Sequence, residues 1–304
     1  LYHAPVLLSE SLDYLAITPE GIYVDATFGG GGHSGALLAQ LSGKGRLYGF
    51  DQDADAQQNA LLPPFVGNPN FRFIRSNFRH LKNQLRSEGV KAGTVSGILA
   101  DLGVSSYQLD TPERGFSYRF DAELDMRMNT EGPLTAADLL NTYSSEKLQK
   151  VLGELGEVRN ARTLAQAIVQ RREQLPFRTT GDLTEICDKY RMGERPRYLS
   201  QVYQALRMEV NDELGALSDF LAAAFEMLAP EGRLAVITFH SIEDRMVKNY
   251  LKAGNIAGEA QKDFYGNISR PWLSGLKKAL EPGTVEMKEN ARSRSAKLRV
   301  GIKV

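Results

Sequence analysis

Four successive glycines, Gly29-Gly30-Gly31-Gly32, constrain this chain more than any other feature. Such a run suits neither strand nor helix; it permits positive φ and lets a ligand reach the main chain. Its flanks say what it joins. Ile22-Tyr23-Val24 are β-branched and aromatic residues suited to a short strand. Ser34 is placed to cap a helix continuing through Ala36-Leu37-Leu38-Ala39-Gln40-Leu41. A strand, a glycine turn and a helix N-terminus form a cradle for a nucleotide-type cofactor.

The cradle alone leaves the cofactor open. Gly30, Gly32 and Gly35 fit G-x-G-x-x-G, which points to a dinucleotide. Asp51 closes the next apolar run, Gly45 to Phe50, at a spacing suited to binding ribose hydroxyls. NAD and S-adenosylmethionine both carry those. Asp25 separates the two, because it stands where a pyrophosphate would lie. A like-charge pair at about 4 Å costs roughly 4 kcal/mol at an effective dielectric of about 20. The sulfonium and ammonium of S-adenosylmethionine are instead attracted to a carboxylate. S-adenosylmethionine is therefore the expected cofactor; the plainer alternative is that Asp25 only caps the loop.

From Gly21 onward strands and helices alternate. Strands are expected at about 22–26, up to Asp51, at Phe71–Arg75 and from Thr94 to Asp101. Helices are expected from Ser34, from Asp53 to just before Pro63-Pro64, and from Asn77. The rhythm breaks between Ser105 and Asn211, where helical stretches appear at 136–140, 145–153, 161–173 and 180–190. It resumes with a helix from Asp212 to Leu228, a turn at Pro230-Glu231-Gly232, and a strand at 233–239. His240-Ser241 opens a helix, and a last strand runs over about 296–302. This is an α/β, Rossmann-like sheet with an all-helical insertion after strand four. The expected division is 1–105, a helical substrate-recognition insertion at 106–211, and 212–304. Ahead of it, His3 either lines a site or packs at the surface, before a short helix near Ser9–Leu15.

Composition narrows the class without naming a partner. Lys plus Arg and Asp plus Glu both number 37, so any polyanion contact must come from local patches. With 42% hydrophobic and 24% charged residues, the chain reads as an ordinary globular one. No apolar run approaches the roughly 18 residues of a membrane span, and no signal-peptide pattern opens the chain. Cytoplasm is the expected location. The lone Cys187 excludes a disulfide framework and a Cys-rich zinc site, and no metal is assigned. Its acidic neighbours Asp182, Glu185 and Asp188 disfavour a thiolate. Methylation at carbon five of a pyrimidine needs that thiolate, so a pyrimidine substrate would accept a methyl group at nitrogen or oxygen.

Asp101 is the expected catalytic residue. In this architecture the transferred group and its acceptor meet at the end of strand four. An exocyclic amine on a base is a poor nucleophile, and a carboxylate accepting its N–H bonds localises the lone pair. The alternative is a cap for the following turn. Tyr107, Arg114, Phe116 and Arg127 lie in a loop where aromatics interleave with arginines, a pattern suited to a stacked base and its phosphates or to packing of the loop itself. His240 stands at a strand end and could face the acceptor. The tail from Lys288 to Arg299 is basic, either contacting phosphates or merely solvated. Two other classes stay in view: an NAD-dependent oxidoreductase, and an RNA-binding protein without catalysis.

Taken together these stretches resemble the bacterial 16S rRNA (cytosine-N4)-methyltransferases. The likeness spans nearly the whole chain: His3-Ala4-Pro5-Val6-Leu7-Leu8, Asp25 to Ser34, Asp101 to Ser106 with Gln108-Leu109-Asp110, and Arg114-Gly115-Phe116-Ser117. It continues through Leu124 to Met128, Gln204-Ala205-Leu206-Arg207, Phe239-His240-Ser241 with Glu243-Asp244-Arg245, and Arg294 to Arg299. It implies methyl transfer from S-adenosylmethionine to N4 of a decoding-region cytidine, in 16S rRNA within the small ribosomal subunit, with no obligate protein partner and no membrane. It places the cofactor on Gly31, Gly32, His33, Asp51, Phe78, Asp101 and Gln108, with Asp25 beside them, and adds Arg207 to the substrate residues. Glu123 stands where the family often has Pro. Gln201 stands where it often has Arg, so no phosphate contact is carried over there.

Overall fold

The computed structural model describes residues 5–260, 268 and 270–304; His3 lies outside the described residues. The chain forms two compact units, Leu1–Gly103 with Gly215–Val304, and Val104–Leu214.

The first unit is built on β1 (Ile22–Asp25), β2 (Arg46–Asp51), β3 (Phe71–Arg75), β4 (Val95–Asp101), β5 (Leu228–Thr238), β6 (Trp272–Ser274) and β7 (Lys297–Lys303). They form one sheet in the order β3-β2-β1-β4-β5-β7-β6. The first five run parallel, and β7 pairs antiparallel with both β5 and β6. The central strands read as nearly continuous apolar runs because both faces are covered. Val24, Phe50, Ile98 and Val236 pack with Phe220 and Met227 on one face. Tyr23, Leu47, Leu99 and Ile237 pack with Leu15 and Leu37 on the other. Strand order reverses between β1 and β4, which opens a crevice at their carboxyl ends.

The parallel strands fall within a residue or two of the expected positions, except β5. Pro230-Glu231-Gly232 is not a turn before the strand but lies inside it, and Glu231 takes φ +64°. Leu228 faces Val95 and Arg233 faces Gly97, so β5 carries extra residues as a bulge. The short edge strand β6 was not legible. It carries the single tryptophan, which is buried edge-on against Phe225 and Tyr250.

The second unit is helical, with helices Ser106–Asp110, Ala136–Thr142, Ser145–Glu154, Ala161–Arg172, Thr180–Tyr190 and Arg195–Val210. Ser105 with Gln108, Thr135 with Asp138 and Thr179 with Asp182 form reciprocal capping boxes at three of the starts. Leu139, Leu152, Leu164, Leu183, Leu199 and Leu206 share its core. Arg195–Val210 is the longest of the six, although its periodicity did not single it out. Pro196 falls in its first turn, where a missing N–H is harmless. Cys187 is fully buried in this core, and burial first, then Asp188, pushes its thiol up. Among the described residues no helix is long and apolar enough to cross a membrane.

Candidate active site

Three neighbouring parallel strands, β1, β2 and β4, each end on an aspartate: Asp25, Asp51 and Asp101. Asp25 is buried, and its oxygens are taken by the loop it precedes. Ser34 Oγ donates to Oδ2 at 2.7 Å, and the Thr27 N–H donates to Oδ1 at 3.1 Å. Asp51 accepts the Gly29 N–H on Oδ2 and the Asp53 N–H on Oδ1, both at 2.8 Å. Burial raises its carboxyl to about 6 against those two hydrogen bonds. Burial likewise raises Asp101 to about 6, opposed by His33 and reinforced by Asp25, Glu243 and Glu286. Asp101 Oδ1 is buried with no hydrogen-bond partner among the described residues.

The glycine loop enters its helix earlier than expected. The helix is Gly32–Leu38, and Gly31 precedes it at φ +76°. Ser34 is therefore not the cap: it sits inside the first turn because its hydroxyl is bound to Asp25. The space beside two of the glycines is also already filled. A Cβ on Gly31 would lie 2.6 Å from the Phe65 ring, and one on Gly32 would collide with the Pro5 ring. These glycines are thus required by the loop's own packing, whatever their main chain presents to a ligand. His33 is buried, with Nε2 3.0 Å from the Val6 carbonyl and Nδ1 3.8 Å from Asp101 Oδ2.

Two further expected residues belong to this unit. Phe78 follows β3, half-buried, with its ring edge-on to Phe220 at 5.1 Å. His240 caps the helix Ser241–Ala253 at the end of β5, with Nε2 2.8 Å from Glu243 Oε1. In the same helix Asp244 holds Arg299 of β7 through two bonds of 2.6 and 2.9 Å, which gives part of the basic tail a structural partner. Sequence reasoning passed over Thr27, whose Oγ1 accepts the Asp101 N–H at 2.7 Å. A hydroxyl two residues after a strand-end aspartate was the available signal.

The remaining expected residues lie in the second unit. Gln108 is buried, and its side chain caps its own helix by accepting the Ser105 N–H. Arg114 is buried, donating to the Arg127 and Met128 carbonyls, and Phe116 is in the core. Arg127 pairs with Asp125, and Arg207 is held by both oxygens of Glu213. Tyr107 is exposed.

The chemistry of the strand-end set favours a cationic ligand. Two carboxyls are driven toward protonation by desolvation, and a third lies beside them; a diphosphate would add to that repulsion, whereas a sulfonium and an ammonium would relieve it. Asp51 can still accept ribose hydroxyls on its free lone pairs.

A seven-stranded sheet in this order, with a glycine loop after its first strand, defines a class I methyltransferase, whose methyl donor is S-adenosylmethionine. The model of the MraW methylase family matches residues 1–304, and the chain belongs to that family. It is 52% identical to the "Ribosomal RNA small subunit methyltransferase H" of Cytophaga hutchinsonii over 99% of both chains. The protein of that name from Parabacteroides distasonis is 50% identical, covering 100% of this chain and 98% of its own. That from Bacteroides thetaiotaomicron is 52% identical, covering 99% and 97%. The dinucleotide reading of Gly30, Gly32 and Gly35 is set aside.

Proposed function

We propose that this protein methylates N4 of a decoding-region cytidine in 16S rRNA of the small ribosomal subunit, in the cytoplasm. The names of its relatives supply the substrate class. The observation that carries the choice of an amine is Asp101 Oδ1, a buried acceptor with no hydrogen-bond partner among the described residues. S-adenosylmethionine, when bound, supplies a methyl group made electrophilic by its sulfonium.

The chain's own groups do the rest. The main chain of Gly31, Gly32 and His33 would hold the cofactor, with Asp51 suited to its ribose, Phe78 to its adenine and Asp25 to its charged groups, and Gln108 would complete the set. Asp101 Oδ1 accepts an N–H bond from the cytosine amine, which localises the nitrogen lone pair. The same oxygen would take the proton that the amine sheds as the new N–C bond forms and the methyl–sulfur bond breaks, its electron pair leaving with the thioether. Orientation in a dry site supplies most of the acceleration.

The helical unit is the proposed substrate-recognition part, and exposed Tyr107 is its candidate stacking residue. Arg114, Phe116, Arg127 and Arg207 would act there by shaping the unit, since their polar or apolar groups are engaged within it; His240 would act from the end of β5.

Methyl transfer from labelled cofactor onto purified small subunits and onto protein-free 16S rRNA, followed by nucleoside analysis, tests the reading. N4-methylated cytidine at one position is the expected product. Label in another nucleoside, or none on either substrate, would overturn it.

A further inference from the structure

The two oxygens of Asp101 have different surroundings. Oδ2 lies 3.8 Å from His33 Nδ1, while Oδ1 is buried without a partner among the described residues. The imidazole is fixed from its far side, because Nε2 is 3.0 Å from the Val6 carbonyl. A carbonyl only accepts, so Nε2 carries a proton. Nδ1 then meets the carboxylate either as a bare lone pair or as an N–H. Two acceptors facing one another repel, whereas a proton on Nδ1 makes the contact a charge-assisted pair. The other groups acting on Asp101 are all acidic: Asp25 at the end of β1, Glu243 in the helix Ser241–Ala253, and Glu286 in the helix Thr284–Glu289. Among these neighbours His33 is the one able to be a cation.

The fixing of His33 is itself built in. Pro5 packs on Gly32, one residue before the histidine, and the Leu7 N–H donates to Glu286 Oε1 at 2.9 Å. Segment 5–7 is therefore clasped at three successive residues, and its middle carbonyl sets the imidazole.

We propose that His33, protonated and held by the Val6 carbonyl, is a positioning residue for Asp101: it faces Oδ2 as a cation, keeps the carboxyl ionised, and leaves Oδ1 for the acceptor amine. This rests on the amine-methylation reading above. Histidine at this position thus has a task separate from lining the cofactor with its main chain. Among the described residues that act on Asp101, removing the imidazolium leaves Asp25, Glu243 and Glu286, so its protonation moves to higher pH.

His33→Gln and His33→Asn keep an amide N–H for the Val6 carbonyl but cannot carry charge, and either one that melts in a single cooperative transition serves. Two readouts are needed. The first is kcat against pH on purified small subunits, with S-adenosylhomocysteine affinity measured by calorimetry. The second is the titration of the Asp101 carboxyl carbon by NMR in the cofactor-free protein.

Both the acid limb of kcat and the Asp101 titration are expected to move up by about one pH unit, so that turnover near pH 6 falls about fivefold. At about pH 8.5, where Asp101 is ionised in either protein, the loss of turnover should be several-fold smaller than near pH 6. An unmoved Asp101 titration in a variant with ordinary cofactor affinity overturns the proposal, as does a loss of turnover equal at all pH. Absence of amine methylation by the wild type, with the titration still moving, would instead overturn the functional reading and leave the pairing intact.

Discussion

Thr27 Oγ1 accepts the main-chain N–H of Asp101 at 2.7 Å, so the end of β4 hangs on the loop that follows β1. Thr27 is in turn tied down by its own N–H to Asp25 Oδ1. Asp25 thereby reaches Asp101 without touching it, through one hydroxyl. Thr27→Val keeps the shape and removes the acceptor. The orphaned N–H costs about 1–3 kcal/mol, and Asp101 is released to shift. Because small misplacements at a reacting centre are amplified, kcat should fall at least about tenfold while cofactor affinity changes by less than about threefold. Steady-state kinetics beside calorimetry would check it, and an unchanged kcat would show that the tether is dispensable.

The glycines of the loop are not equivalent. Gly31 combines φ +76° with a Phe65 ring 2.6 Å from any added Cβ. At Gly35, inside the helix, the nearest atoms would be Phe65 at 3.7 Å and Pro64 at 3.9 Å, ordinary contact distances. Gly31→Ala should destabilise by about 2–4 kcal/mol, from backbone strain plus overpacking. Gly35→Ala should be neutral or stabilise by up to about 1 kcal/mol, the helix-propensity gain. Urea denaturation of the two variants separates the cases. Equal losses would mean that the third glycine of the G-x-G-x-x-G pattern has a duty that this packing does not reveal.

What the sequence made legible follows from how local each signal is. The strand-end aspartates Asp25, Asp51 and Asp101 each terminate an apolar run, so both their placement and their shared edge follow from period and fold class. Ser34 was misassigned because a serine before a helical stretch looks like a cap. Only the folded loop brings its hydroxyl to Asp25, nine residues away. The bulge in β5 was hidden because Pro230-Glu231-Gly232 has turn composition, and its pairing with β4 is set by a partner more than a hundred residues distant. Arg114 and Phe116 looked like a binding surface because an aromatic-and-arginine loop reads alike whether it faces solvent or its own core; burial decides that, and burial is not local.

Asp244 and Arg299 stood in two separate motifs of the chain and meet as a bidentate, largely buried pair, with side chains 15% and 19% exposed. The pair joins the start of the helix Ser241–Ala253 to β7 beside β5. Removing one partner strands the other charge. Asp244→Ala should therefore destabilise by about 2–4 kcal/mol, and the double change Asp244→Ala with Arg299→Met by less than that single change. A double-mutant cycle in urea measures the coupling. If the double variant is the weaker protein, the pair is not the source of the stability.

Asp101 makes stability and catalysis pull in opposite directions, and pH exposes the conflict. Its folded carboxyl is raised to about 6 from an ordinary value near 3.8. Between those values the folded state binds more protons than the unfolded one. The favourable contribution is therefore complete below the unfolded value and is lost as pH rises through about 6. Above that, the ionised carboxylate weighs against folding. Asp101→Asn removes the charge at a residue whose Oδ1 makes no bond to lose. The cofactor-free variant should be more stable than wild type by about 1–3 kcal/mol at pH 8, and the advantage should vanish near pH 4.5. Turnover should meanwhile fall by about a hundredfold or more, with cofactor affinity largely kept. Urea denaturation at the two pH values, run beside methyl-transfer assays, decides the matter. A variant less stable than wild type at pH 8 would mean that the pairing with His33 outweighs the burial of this carboxylate, and that no strain is held in reserve for the acceptor.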